Sequence, residues 1–401
     1  MNRWDALRVD VHCHVGQKRR PAEPGERFSF EPAGPAKDGN GQPSAPGAPA
    51  WDAYISDRLT GGLSFRLARW WLGISSGSDR ETDEGIERLL LHHILGACQL
   101  ERAVALAFDE YHTNEGEALG PRARRAGRGT DLYVSNTYVR QLWRRYPRRI
   151  LFGASIHPYR QSANQTALDM LEEVTAAGAV LIKWLPLAQN ISGRDPRTIA
   201  FLRKAAELRM PMLIHYGGEK CLGNAHPEFE DPAPLLQTLR GLRAEGGMPT
   251  VIVAHVATPA LWPLESGRHF RALITALLGE FSDAPLYADI SALALPQRAR
   301  WLKKLARTPA VHRKLVYGSD FPLPAVTWCF RRELGRLRRA IGSLESWLDR
   351  DIMLKSALGF GEDVFLRAGK LLRHRIQIAD ALVADGRRER QRSVAEPDPT
   401  R

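Results

Sequence analysis

Cysteine is scarce. Four stand in 401 residues, at Cys13, Cys98, Cys221 and Cys329, too far apart for a metal-binding or redox spacing. A disulfide scaffold is excluded, and a reducing cytoplasm is the default expectation. Long apolar runs are also missing. No stretch approaches the roughly 18 residues of a membrane span, and residues 1–15 lack a basic start followed by an apolar run, so neither a span nor a secretory signal is expected. Lysine is the third shortage: of 57 basic residues only 10 are Lys and 47 are Arg. The net charge of +12 therefore comes from dispersed arginines, with local clusters at 122–128, 144–149 and 331–339. Aromatic and basic residues do not interleave, so no specific nucleic-acid partner is expected beyond general stickiness to polyanions. What remains is an ordinary globular composition, 44% hydrophobic and 25% charged, which excludes a disordered or collagenous chain. The length suits one large domain or two medium ones, with a core that needs no staples.

Residues 8–15 alternate and are rich in Val, which predicts a strand. Residues 17–50 are crowded with Pro and Gly and predict a loop, and 51–75 predict a helical stretch within one insertion spanning 17–80. A helix is expected over 81–100 from its 3.6-residue spacing. Short apolar runs then recur at 103–108, 150–156, 179–182, 210–214, 250–254, 285–290 and 314–317. Amphipathic helices fall between them near 131–146, 163–177, 196–209, 231–245, 266–281 and 297–307. With the first strand this makes eight βα units, the rhythm of a parallel α/β (β/α)8 TIM barrel. More helix is expected near 330–342 and over 345–384. The expected organisation is a single barrel domain over 1–384 and a charged, frayed tail over 385–401.

Barrel strands point their C-terminal ends at the active-site face. Strand 1 ends in His12-Cys13-His14, strand 4 in Lys183, strand 5 in His215, strand 6 in His255 and strand 8 in Asp320. Alternation on a strand turns His12 and His14 to one side, about 7 Å apart along the backbone, and Cys13 to the other, into the core. Imidazole and carboxylate ligands suit Zn²⁺ or another divalent first-row ion. One His-x-His pair is weak, but five strand ends supplying His, Lys or Asp on one rim point to a metal site.

These segments resemble the amidohydrolase superfamily, and most closely its amidohydrolase-related branch of metal-dependent hydrolases and nonoxidative decarboxylases such as aminocarboxymuconate-semialdehyde decarboxylase. The resemblance is carried by Asp10-Val11-His12-Cys13-His14, Ile182-Lys183-Trp184-Leu185-Pro186, Ile214-His215-Tyr216-Gly217-Gly218-Glu219, Ala254-His255 and Tyr317-Gly318-Ser319-Asp320-Phe321-Pro322. It implies that His12, His14 and His215 hold a divalent metal, Zn²⁺ first among the choices, as one or two ions. Asp320 then ligates the metal or acts beside it as a base. His255 binds a second metal or orients and protonates substrate. Lys183 matches the position of a carboxylated lysine that bridges two metals. A substrate-binding, supporting or purely structural Lys183 stays open.

His157, Asp289 and Glu219 are weaker candidates for contact with substrate or for support of the ligands. For each, a structural role is the competing reading. The insertion leaves strand 1 on the active-site side, where loops commonly close over substrate. Its Arg66, Arg69, Trp70 and Trp71 either meet substrate or pack against the barrel. The expected activity is hydrolysis of a lactone, amide or ester of a small molecule by a water activated on the metal. The alternative is nonoxidative decarboxylation of an unsaturated or aromatic acid. The expected partner is a small-molecule substrate, with no membrane and with a homodimer as the commonest assembly.

Overall fold

The computed structural model describes residues 6–15, 19–23, 25–31, 51–60, 62, 79–123, 126–162, 164–219, 222, 226–260 and 266–395. Eight strands form one sheet in chain order: β1 (Val9–His14), β2 (Arg102–Leu106), β3 (Ile150–Ala154), β4 (Leu181–Trp184), β5 (Met212–His215), β6 (Val251–Ala254), β7 (Leu286–Asp289) and β8 (Leu315–Val316). Every neighbouring pair is parallel. The strands are almost wholly buried, and near-continuous apolar runs are what a parallel sheet covered on both faces requires.

The sheet closes on itself. Val11 N donates to Tyr317 O at 3.4 Å, Asp320 N to His12 O at 2.8 Å and His14 N to Phe321 O at 2.7 Å. A helix follows each of the first seven strands: α1 (Asp79–Leu95), α2 (Asn136–Arg145), α3 (Ala167–Ala176), α4 (Pro196–Glu207), α5 (Ala233–Ala244), α6 (Arg268–Leu278) and α7 (Ala299–Ala306). Three of their starts follow ordinary capping rules. Ser135 caps α2, Thr166 and Asp169 form a capping box on α3, and Asp195 followed by Pro196 opens α4. The fold is a (β/α)8 TIM barrel, as the strand rhythm predicts.

After β8 come two short helical segments, then α8 (Trp347–Ala357) and α9 (Glu362–Ala395). Helix α9 lies across the N-terminal ends of the strands. Arg8 pairs with Glu362 at 2.7 Å, Arg102 with Asp380 at 2.7 Å, and Arg375 Nε donates to Ala179 O at 3.0 Å. The helix continues through 385–395, the first part of the expected tail, while 396–401 lie outside the described residues. No helix among the described residues is long and apolar enough to cross a membrane.

The insertion differs from its sequence reading. Arg19–Pro21 and Trp51–Ile55 are strands, not loop and helix; they pair antiparallel with each other, and Trp51–Ile55 pairs antiparallel with Leu132–Val134 on its other side. Asp52 fixes this small sheet, accepting from Arg27 at 2.6 Å and from Ser135 Oγ at 2.9 Å. Glu31 accepts from the backbone N–H groups of Asn136 and Thr137 at the start of α2. Arg66, Arg69, Trp70 and Trp71 lie outside the described residues.

Candidate metal centre

The C-terminal rim is shaped by backbone as much as by side chains. His255 and Asp320 both adopt left-handed backbone, with φ of 52° and 65°. For a residue other than glycine this costs about 1–3 kcal/mol, a strain concentrated at functional sites. Gly217, at φ +90°, lets the loop after β5 approach the loop after β6. A Cβ there would sit 2.6 Å from the Ala257 carbonyl carbon. His215 and His255 are thereby brought to 4.8 Å between ring centroids.

Asp10 joins the first strand to the last. Its Oδ1 accepts from His12 N at 2.9 Å and from Ser319 N at 3.0 Å, and its Oδ2 from Cys13 Sγ at 3.2 Å. Burial pushes this carboxyl up to about 6, against those hydrogen bonds. Cys13 is buried and turned away from the rim histidines, as strand alternation requires.

His12 is fully buried, and its Nδ1 lies 2.8 Å from Asp289 Oδ2. The carboxylate accepts the hydrogen bond from Nδ1–H, so the Nε2 lone pair faces the rim, where Lys183 Nζ can donate to it. That Nε2 lies 3.1 Å from His14 Nε2, 3.1 Å from Lys183 Nζ and 3.4 Å from Asp320 Oδ1. His14 Nε2 is itself 3.1 Å from Asp320 Oδ1. His255 Nδ1 donates to Ser291 O at 3.1 Å, which turns Nε2 toward Asp320 Oδ2 at 3.7 Å. Ser291 Oγ bridges the Nδ1 atoms of His12 and His255 at 3.0 and 2.8 Å. His12, His255 and Asp320 each offer a ligand atom within 4.8 Å of the others.

These separations suit a cation. A tetrahedral ion with bonds of about 2.0–2.1 Å to nitrogen and oxygen sets neighbouring ligand atoms about 3.3 Å apart. The His12–His14–Asp320 triangle has edges of 3.1, 3.1 and 3.4 Å. His215 supplies a further sign: its Nε2 is buried and has no hydrogen-bond partner, with Glu219 Oε2 3.8 Å away.

The protonation states agree with that fit. Burial first, then the charge on Lys183, lowers His12 to about 4. Burial likewise lowers His255 to about 3 and holds His215 well below its ordinary value. Burial alone would raise Asp320 and Asp289. The rings around Asp320, and those of His12 and His255 beside Asp289, outweigh it and keep both carboxyls ionised. Burial brings Lys183 down to about 8, partly offset by Asp289, Asp320 and Glu219. The centre thus combines neutral imidazoles with ionised carboxylates, the states in which both groups bind metal.

Of the residues singled out from sequence, His12, His14, Lys183, His255, Asp289 and Asp320 converge, with His215 and Glu219 at their edge. His157 takes the structural of its two readings. Its Nε2 donates to Gln189 O at 2.7 Å and its Nδ1 accepts from Tyr159 N at 3.1 Å, so both ring nitrogens serve the backbone. Two supporting residues carry no assigned role in the sequence reading. Asp10 lies inside a quoted motif and Ser291 two residues after Asp289, but nothing in their spacing states what they bind.

No protein-family model matches the sequence, and no curated protein matches it. Solved structures do. A TIM-barrel protein from Bordetella bronchiseptica has 16% identity and a TM-score of 0.47, covering 90% of this chain and 99% of that one. A probable 2-pyrone-4,6-dicarboxylic acid hydrolase from Acinetobacter baumannii has 14% identity and a TM-score of 0.42, covering 91% and 94%. A 5-carboxyvanillate decarboxylase from Novosphingobium aromaticivorans, with bound manganese, has 13% identity and a TM-score of 0.42, covering 92% and 99%. At these identities and TM-scores the likeness carries neither fold nor activity to this chain. The fold rests on the strand order and the bonds that close the sheet. The matched structures include hydrolases and decarboxylases of the amidohydrolase superfamily, the family whose motifs the sequence resembles.

Proposed function

We propose that this chain is a metal-dependent hydrolase acting on a carbonyl centre, a lactone, amide or ester, of a small molecule. The observation that supports this reading is the triangle of His12 Nε2, His14 Nε2 and Asp320 Oδ1, closed to 3.1–3.4 Å. Zn²⁺ is the ion we put first, because a site rich in imidazole and carboxylate suits it. When bound, a divalent ion supplies Lewis acidity: it polarises a carbonyl oxygen and lowers the pKa of water toward neutrality.

The remaining work falls to this chain's own side chains. Asp289 fixes the His12 tautomer and ring plane. Asp320, kept ionised, accepts a proton from the attacking water and returns it to the leaving group. His255, kept neutral with its Nδ1 proton on Ser291 O, leaves its Nε2 lone pair 3.7 Å from Asp320 Oδ2, placed to accept a hydrogen bond from a substrate hydroxyl or water beside that carboxylate. Lys183 places its Nζ 3.1 Å from His12 Nε2 and completes the wall of the site.

The test is a panel of lactones, esters and amides assayed with the metal-reconstituted protein, with CO₂ release measured in parallel from unsaturated and aromatic acids. Hydrolysis that a chelator stops, and that Asp320→Asn lowers about 10²–10⁴-fold, is the expected result. CO₂ release without hydrolysis would replace the hydrolase by a decarboxylase on the same residues. Turnover indifferent to both chelator and Asp320→Asn would sink the metal reading.

A further inference from the structure

Arg298 lies in the segment between β7 and α7 and is buried, with 6% of its surface exposed. A guanidinium stays charged in any protein environment and carries a fork of N–H donors. Burying one without a matching anion is costly. The other buried arginines have found partners. Arg160 binds Asp109, Arg140 reaches Glu26 at 3.8 Å, and Arg375 donates to the carbonyls of Ala179 and Thr175. Arg298 makes one side-chain hydrogen bond, from its NH2 to Gly218 O at 2.8 Å, and among the described residues it has no carboxylate at salt-bridge distance.

Its position gives the open donors a direction. Gly218 follows His215 on the loop after β5, and its N–H donates to Thr258 O on the loop after β6 at 3.2 Å. Arg298 therefore stands where the loops after β5, β6 and β7 meet, the loops that follow the strands ending beside His215, His255 and Asp289.

We propose that Arg298 is a specificity-determining residue that anchors a carboxylate on the substrate, at a position distinct from the group undergoing reaction at His12, His14 and Asp320. This rests on the metal-centre reading for the second half of the statement and on Arg298 alone for the first. The substrate class is a small organic acid that bears one carboxylate for the guanidinium and a separate carbonyl centre for the metal. The planar fork matches a carboxylate in two parallel hydrogen bonds, which fixes orientation as well as charge. An Arg298 that merely ties down the Gly218 loop would show no preference for a charged ligand.

The experiment measures binding rather than turnover. Phthalate and its uncharged dimethyl ester are titrated calorimetrically into the protein as purified, into Arg298→Gln, into Arg298→Lys and into His12→Asn. Metal content and Tm are recorded for each. The expected result is phthalate binding without ester binding, weakened about 10- to 100-fold in Arg298→Gln. Arg298→Lys, which keeps the charge and loses the fork, should fall between the two and also serves if Arg298→Gln does not fold. Metal content should be the same in Arg298→Gln as in the unchanged chain.

Three results would overturn the proposal: equal phthalate affinity in Arg298→Gln and the unchanged chain, equal loss of phthalate and ester binding, or no phthalate binding to the unchanged chain. A failed metal reading looks different. There the chain holds no metal, yet phthalate binding still depends on Arg298 and survives in His12→Asn.

Discussion

The barrel carries two groups of histidines on the same face, and they are built to opposite ends. On the side of β1, β6 and β8, His12, His14 and His255 turn ring nitrogens toward one another and toward Asp320, with Asp289 fixing the His12 tautomer. On the side of β2 and β3, His112 and His157 stack at 4.4 Å between centroids, but their nitrogens point outward into the backbone. His157 is satisfied at both nitrogens, and His112 Nδ1 lies 3.1 Å from Gly116 O. His112 Nε2 has no hydrogen-bond partner, yet the carboxylate nearest it, Asp109 at 4.0 Å, is already held by Arg160 and two backbone N–H groups. Residue type is shared. Convergence of ring nitrogens on one ionised carboxylate is not, and that is what separates a candidate metal centre from a structural pair.

The sharpest way to break this contrast is to remove one histidine from each group. His14→Ala should purify without metal. His157→Phe should keep full metal and lose about 1–3 kcal/mol of stability with its two backbone bonds. Equal metal in both variants, measured by elemental mass spectrometry, would erase the distinction.

A smaller effect tests the support beneath the first group. Asp289→Asn keeps the shape but weakens the hold on His12 Nδ1, and metal affinity should fall about 10- to 100-fold in competition with a fluorescent chelator. An unchanged affinity would mean that Asp289 does not orient a ligand.

The smallest effect concerns pH. Burial lowers His112 to about 4, as it does His12. Unfolded imidazoles take a proton below about 6.5, whereas these folded rings stay neutral until about 4. The unfolded chain then binds more protons across that window, so stability is full above about 6.5 and falls as pH drops toward 4. His112→Leu should remove one ring's share of the fall, about 2 kcal/mol by about pH 5, without touching metal content. A Tm–pH curve parallel to that of the unchanged chain would contradict this.

Most of this architecture is legible in the sequence because its signals are local. The runs ending in His215, His255 and Asp320 are apolar strands finished by a polar residue, and His12 and His14 declare a shared side by spacing alone. The small antiparallel sheet is not legible in this way. Arg19–Pro21 is three residues long and contains a proline, and its partner Trp51–Ile55 lies across a Pro- and Gly-rich stretch. Only long-range pairing, with Asp52 and Glu31 as fasteners, makes those residues strands. Arg298 is hidden for another reason. In a chain with 47 arginines nothing local marks the one buried beside the loops after β5 and β7 with a single side-chain hydrogen bond. Asp289 reads as an even choice until its 2.8 Å contact with His12 is seen, because the two lie 277 residues apart.

The most direct test is metal content per chain in the protein purified without added metal and after reconstitution, beside His12→Asn and Lys183→Ala. At least one tightly held divalent ion in the unchanged chain, lost in His12→Asn, is the predicted result. Two ions falling to one in Lys183→Ala would add a bridging lysine, and one ion unaffected by that change would leave Lys183 a wall of a single-metal site. No tight metal in the unchanged chain even after reconstitution, or the same metal in His12→Asn, would contradict a metal centre on these residues.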